Sequence, residues 1–264
     1  MDAYRRVRPL LRRLLPYRKG SVMTPKLLNL LQRIATAYDT RPHTPHDTAV
    51  QTAYDAFKSA LLIQYRAIPY RVLFVDENPY ATSADMFRMV EHSGILHVYT
   101  KAEFPSFHPM AQLVTDYAKV GDTVLRPLNV YFRAVHDALV HIPHRLTFGP
   151  VDEFKAFQIH ARIFVRPFGR QWGPGHWIGD TKDINALRAL ATETLAQSAW
   201  FAINGRMSYC AVCGEHGGST GSMSNLVHAY GPVGHEFKPT TKYPPQKACL
   251  LPDALIVEAL ELEV

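Results

Sequence analysis

Thr24-Pro25-Lys-Leu-Leu-Asn-Leu-Leu-Gln-Arg-Ile-Ala-Thr-Ala-Tyr38 decides the fold class. Thr24 suits a helix N-cap, and Pro25 occupies a first-turn position where a missing N–H costs nothing. Leu27, Leu28, Leu31, Ile34, Ala35 and Tyr38 then recur at the helical period, an apolar stripe that needs a partner surface. A polar loop, Arg41 to Pro45, leads to a second start at Asp47. From there Val50, Tyr54, Phe57, Ala60, Leu61 and Tyr65 carry the same period to a break before Pro69.

Outward from this pair the pattern stays mainly helical with short extended interruptions. Residues 71–75 (Arg-Val-Leu-Phe-Val) read as a short buried strand and Ile95 to Tyr99 as a second. Between them Asn78-Pro79 turns the chain, Ser83 is the expected cap of a helix running to about Glu91, and His92-Ser-Gly94 closes it. Pro105, His108 and Pro109 make an irregular entry to helical territory over residues 110–165. A Gly-, Pro- and Trp-rich stretch, 167–180, reads as a loop or flap. A helix is expected from Asp183 to Phe201, and 204–247 read as loops over the core. The expected class is mainly α (α+β): a helical core with a few short strands and long Gly/Pro-rich loops.

Charge is distributed unevenly. The 264 residues carry +6, but residues 1–20 hold seven of the 29 basic residues and one of the 23 acidic ones, leaving 22 against 22 elsewhere. The basic pattern therefore belongs to an arm. Val7, Leu10, Leu11, Leu14 and Leu15 make that arm amphipathic, although Pro9 and Pro16 interrupt it. It reads as a docked helix, as a phosphate-binding arm for nucleic acid, lipid or a partner subunit, or as a presequence. The expected organisation is this arm, 1–20, and one helical domain, 21–264. No run of about 18 apolar residues occurs, so no transmembrane helix is expected. Three cysteines are too few for a disulfide framework and fit a reducing compartment.

Chemistry concentrates in the second half. His136-Asp-Ala-Leu-Val-His141 is followed by Ile142-Pro143-His144. On an ideal helix, residues five apart diverge by about 140°. His136 and His141 can meet on one ion only if the helix ends or distorts, which Pro143 favours. Asp137 is an i, i+4 neighbour of His141 and could orient its imidazole. Glu153 and His160, seven apart, share a helix face. Thr192-Glu193-Thr194 and Gln197 sit on a later helix. Histidines with one or two carboxylates suit Fe(II), Mn(II) or Zn(II); His136, His141, Glu153, His160 and Glu193 are the expected ligands, with Asp137 and Gln197 as catalytic candidates. The competing reading is a hydrogen-bonded core, since 13 histidines produce close spacings by chance.

Lesser signals are Cys210-Ala-Val-Cys213 with His216, His228 and His235, which resembles half a zinc ribbon, and the glycine-rich 214–221, which lacks a P-loop ending. Trp172, His176 and Trp177 could stack a base or anchor the loop.

His136-Asp-Ala-Leu-Val-His141-Ile-Pro143 resembles the iron-ligand segment of pterin-dependent aromatic amino acid hydroxylases, where two histidines and a later glutamate hold non-haem iron. Val140 stands where that pattern has glycine. A longer ordered series resembles a group of uncharacterised proteins common in bacteriophage genomes. It comprises Phe132-Arg-Ala-Val-His136-Asp-Ala-Leu-Val-His141, Glu153 with Ala156-Phe157-Gln-Ile-His160, and Thr192-Glu-Thr-Leu-Ala-Gln197-Ser-Ala-Trp200. It ends in Gln246-Lys-Ala-Cys-Leu-Leu-Pro252, with Asn78-Pro-Tyr and His108-Pro-Met similar upstream. Val140, Phe157, Leu195 and Ala196 depart from that group's Gly, Trp, Arg and Gly.

The resemblance implies phage origin and a shared fold, and no activity. Together with the residues it gives the expectation of a phage-encoded non-haem iron enzyme, an oxygenase or hydroxylase acting on a nucleobase or another small organic group in the host cytoplasm. The alternative is a non-enzymatic virion or host-takeover protein that binds nucleic acid or a partner subunit through residues 1–20. A zinc- or manganese-dependent hydrolase would use the same ligands.

Overall fold

The computed structural model describes residues 23–101, 104–115, 124–165, 181–204 and 244–264. The arm at 1–20, the loop carrying Trp172, His176 and Trp177, and the segment carrying Cys210 and Cys213 lie outside the described residues.

The fold is mainly α. Helix α1 (Pro25–Thr40) starts as its sequence requires, with the Thr24 hydroxyl accepting from Leu27 N at 3.2 Å. Its buried side chains are Leu27, Leu30, Leu31, Ile34, Ala35 and Tyr38. Leu30 joins the expected stripe, and Leu28 packs against the same core half-buried. Helix α2 (Thr48–Arg66) is capped by Asp47, whose Oδ1 accepts from Ala49 N at 2.8 Å and Val50 N at 3.2 Å. Such a cap is worth about 1 kcal/mol. Its buried face includes Phe57, Leu61 and Tyr65, and also Gln64, a polar residue in an otherwise apolar stripe.

Strands β1 (Arg71–Val75) and β2 (Ile95–Tyr99) pair in parallel, Leu73 opposite His97. Parallel strands need a crossover, here helix α3 (Ser83–Ser93). Its cap is Thr82 rather than the expected Ser83: Thr82 and Asp85 form a reciprocal capping box, and Gly94 ends the helix at φ 70°. Strand β1 is only half-buried, where the apolar run suggested full burial. Residues after His108 add a 3₁₀ turn (Pro109–Ala111), then β3 (Leu113–Val114) and β4 (Arg126–Pro127), a short antiparallel pair inside territory expected to be helical.

Helix α4 (Leu128–His136) runs into a π-helical turn, Asp137–His141, and a last α turn, Ile142–His144. Arg145 then adopts a left-handed conformation at φ 55° and reverses the chain. Helix α5 is Pro150–Val165. Helix α6 (Thr181–Ala191) passes through a second π turn, Thr192–Ala196, into α7 (Gln197–Asn204), and α8 (Asp253–Glu261) closes the described chain. Helix α2 packs chiefly on α6, and α1 on α7, while α5 lies against α6 and α7. Phe57 and Leu61 on α2, Tyr131 on α4, and Phe154 and Phe157 on α5 are fully buried.

The segment 244–252 laces these helices together. Lys247 Nζ donates to the carbonyls of Tyr38, Asp39 and Arg41, closing the C-terminus of α1. Ala248 exchanges bonds with His43 and Thr44, and Thr192 Oγ1 donates to the Cys249 carbonyl at 2.8 Å. Among the described residues no helix is long and apolar enough to cross a membrane.

Candidate metal centre

The site starts from a defect in a helix. Pro143 has no N–H to give the carbonyl four residues back, and in a regular helix its ring would press on that carbonyl. The turn just before it is widened: Ile142 N donates to Asp137 O, five residues back. A π turn holds one extra residue, so positions five apart come round to the same side. His136 and His141 therefore meet, with ring centroids 4.6 Å apart and the planes at 77°.

Helix α5 supplies the carboxylate. Thr147 N and Oγ1 donate to Asp152 Oδ2 at 2.9 and 2.7 Å, pinning the connection into α5. In the next position Glu153 turns toward the histidines. Its Oε2 is 3.5 Å from His136 Nε2 and its Oε1 is 3.4 Å from His141 Nε2. The three donors lie within 4.8 Å of one another and form the one such His/Cys/Asp/Glu group among the described residues. Burial pushes the Glu153 carboxyl up, but the two imidazoles outweigh it and leave the pKa below the ordinary value.

His141 Nδ1 lies 3.0 Å from the carbonyl of Leu146, which the left-handed turn at Arg145 folds back toward it. That carbonyl, not Asp137, orients the ring. A carbonyl only accepts, so Nδ1 carries a proton, which in the uncharged tautomer leaves the lone pair on Nε2. That Nε2 is buried and makes no hydrogen bond. Phe148, half exposed, meets the same ring edge-on at 5.1 Å.

His160 does not join the three donors. It touches the far edge of His136, Nδ1 to Nδ1 at 3.1 Å, while Phe132 stacks on it with planes 3° apart. Its Nε2 is 3.1 Å from Gln64 Oε1. Burial, then the charges of His136 and His141, hold its pKa well below the ordinary histidine value. Asp137 opens the π turn, half-buried; burial pushes its pKa to about 6, against the pull of His141.

Glu193 is placed in a second polar cluster. Tyr54 Oη donates to its Oε1, Gln197 Nε2 donates to its Oε2 at 2.9 Å, and His108 Nε2 stands 3.8 Å from Oε1. Burial raises the carboxyl to about 7, with the Tyr54 and Gln197 hydrogen bonds acting the other way. Gln246 Nε2 in turn donates to Gln197 Oε1 at 3.2 Å. The five expected ligands thus divide: His136, His141 and Glu153 converge, His160 backs His136, and Glu193 pairs with Tyr54. His108 cannot serve as a ligand through Nε2, because its Nδ1 accepts from Met110 N at 3.1 Å and the ring proton must sit on Nε2. Sequence reading missed Gln64, Tyr54 and Leu146. A polar residue inside the apolar stripe of α2 was the available signal for Gln64; the others carried none.

Comparison with protein-family models, curated proteins and solved structures finds no match to the chain.

Proposed function

We propose that the chain is a mononuclear non-haem metal enzyme whose ion is held by His136 Nε2, His141 Nε2 and Glu153. The carrying observation is His141 Nε2, buried without a hydrogen bond and 3.4 Å from Glu153 Oε1. When the ring is neutral with its proton on Nδ1, Nε2 and the carboxylate both only accept, and a cation between them satisfies both. The spacing supports this. Metal–ligand bonds of about 2.0–2.2 Å put neighbouring donors of one ion about 3.0–3.5 Å apart at angles of about 90–110°.

Two imidazoles and one carboxylate leave positions open on an octahedral ion, the donor pattern associated with non-haem Fe(II) oxygenases. Iron(II) is therefore the proposed metal, and oxidation of a small organic group or nucleobase the proposed reaction class; bound iron would supply the activation of dioxygen. The protein's own contribution is orientation. The Leu146 carbonyl fixes the His141 tautomer, the π turn aims both rings, and Glu153 supplies the charge. Phage origin and action in the host cytoplasm rest on the ordered motif resemblance alone.

The test is anaerobic loading with Fe(II), Mn(II) or Zn(II), followed by oxygen-uptake measurements with free nucleobases and single-stranded oligonucleotides. Uptake that requires iron and is lost in Glu153→Ala supports the oxidative reading. Tight zinc binding with hydrolysis and no uptake replaces it with a hydrolase.

A further inference from the structure

We propose that Gln64 and His160 are positioning residues that fix the proton on His136 Nδ1 and so keep its Nε2 lone pair turned toward Glu153. The inference rests on the metal reading of the triad and deepens it.

Unlike His141, His136 has no carbonyl against its Nδ1. Its neighbour there is another imidazole, His160 Nδ1 at 3.1 Å, and two imidazoles can bond in either direction. The direction must come from further out. His160 Nε2 lies 3.1 Å from Gln64 Oε1. The amide oxygen has no proton, so His160 Nε2 donates. His160 is fully buried and stacked on Phe132, where charging the ring would be costly, so it holds one proton and its Nδ1 accepts. His136 Nδ1 must then donate, and in the uncharged ring this leaves the lone pair on Nε2, facing Glu153 Oε2.

Reversing the Gln64 amide would reverse the whole chain. An N–H toward His160 Nε2 would send the proton of His160 to Nδ1 and that of His136 to Nε2, where it would point at Glu153 and block a metal. Gln64 therefore sets the state of a ligand it never touches. It is kept at a cost: the amide nitrogen is buried without a hydrogen-bond partner, a penalty an apolar residue in the same stripe would not carry. Apart from Gln64, the buried face of α2 is apolar or aromatic, so packing alone does not call for an amide there.

The experiment is ¹⁵N-histidine NMR of the metal-free protein at pH 8, read for tautomers, together with Zn(II) affinity of three variants. The expected tautomers are Nε2–H for His160 and Nδ1–H for His136. Gln64→Leu and His160→Phe should weaken zinc binding by about 10–100-fold while remaining folded by circular dichroism. Gln64→Glu, which keeps an acceptor, should retain affinity within about threefold, a rescue that a packing role would not give. A wild-type His136 that carries its proton on Nε2, or a folded Gln64→Leu that binds zinc as tightly as wild type, overturns the proposal. Nδ1–H on His136 in a protein that binds no metal upholds the proton chain and removes the metal reading instead.

Discussion

His136 and His141, five residues apart, face each other at 4.6 Å because the helix that carries them widens by one residue between them. The same positions on a regular helix would diverge by about 140°. The convergence is thus a property of the π turn, and it depends on what keeps that turn wide.

Pro143→Ala tests this. Alanine restores the missing N–H and removes the ring that presses on the carbonyl of Leu139, letting the turn relax toward a regular helix. Zinc affinity should fall by at least about 10-fold, measured by calorimetry. The melting temperature should hold or rise, since alanine favours the helix.

Glu193→Gln should change the pH dependence of stability. The folded carboxyl, raised to about 7 from an ordinary 4.5, favours folding most when protonated. Its contribution is fully present below pH 4.5 and is lost as pH rises through 7. The loss amounts to at most about 3 kcal/mol. Urea titrations from pH 4.5 to 8 should show the variant gaining on wild type as pH rises. A constant difference would place Glu193 in a less buried setting.

His108→Gln should act on the acid side. Burial, with the charge of His43 adding to it, holds His108 down to about 4, so the folded state keeps the ring neutral. Stability from this group is present above about pH 6.5 and falls as pH drops toward 4, by up to about 3 kcal/mol. The variant, which still offers Met110 N an acceptor, should resist acid better than wild type between pH 6 and 4.

Leu61→Ala separates packing from chemistry. Leu61 is fully buried on α2, and its truncation should cost about 2–5 kcal/mol. At a temperature where the variant is folded, metal stoichiometry should equal that of wild type.

The helices were legible in the sequence because a buried stripe leaves a periodic record, as in Leu27 to Tyr38. Errors fell where two residues fit one role. Leu28 and Leu30 both suit a stripe, and Thr82 and Ser83 both suit a cap; only the Asp85 carboxylate, reaching back to Thr82, separates the second pair. At the site the residue types were legible, but their directions were not. Period arguments assume about 3.6 residues per turn, and both π turns break that assumption at the residues of interest. Glu193 carried the right chemistry for a ligand, yet its partner Tyr54 lies 139 positions away with no local sign of the pairing. Gln64 was hidden for the same reason, 96 positions from His160.

The most direct measurement is an anaerobic metal titration of wild type and His141→Ala, with Fe(II) and, in parallel, Zn(II) and Mn(II), read by calorimetry and elemental analysis. The expected result is one ion per chain in wild type and an affinity more than about 100-fold lower in a folded His141→Ala. A folded wild-type protein that takes up none of the three ions, or a His141→Ala variant that binds as tightly, would contradict the metal centre.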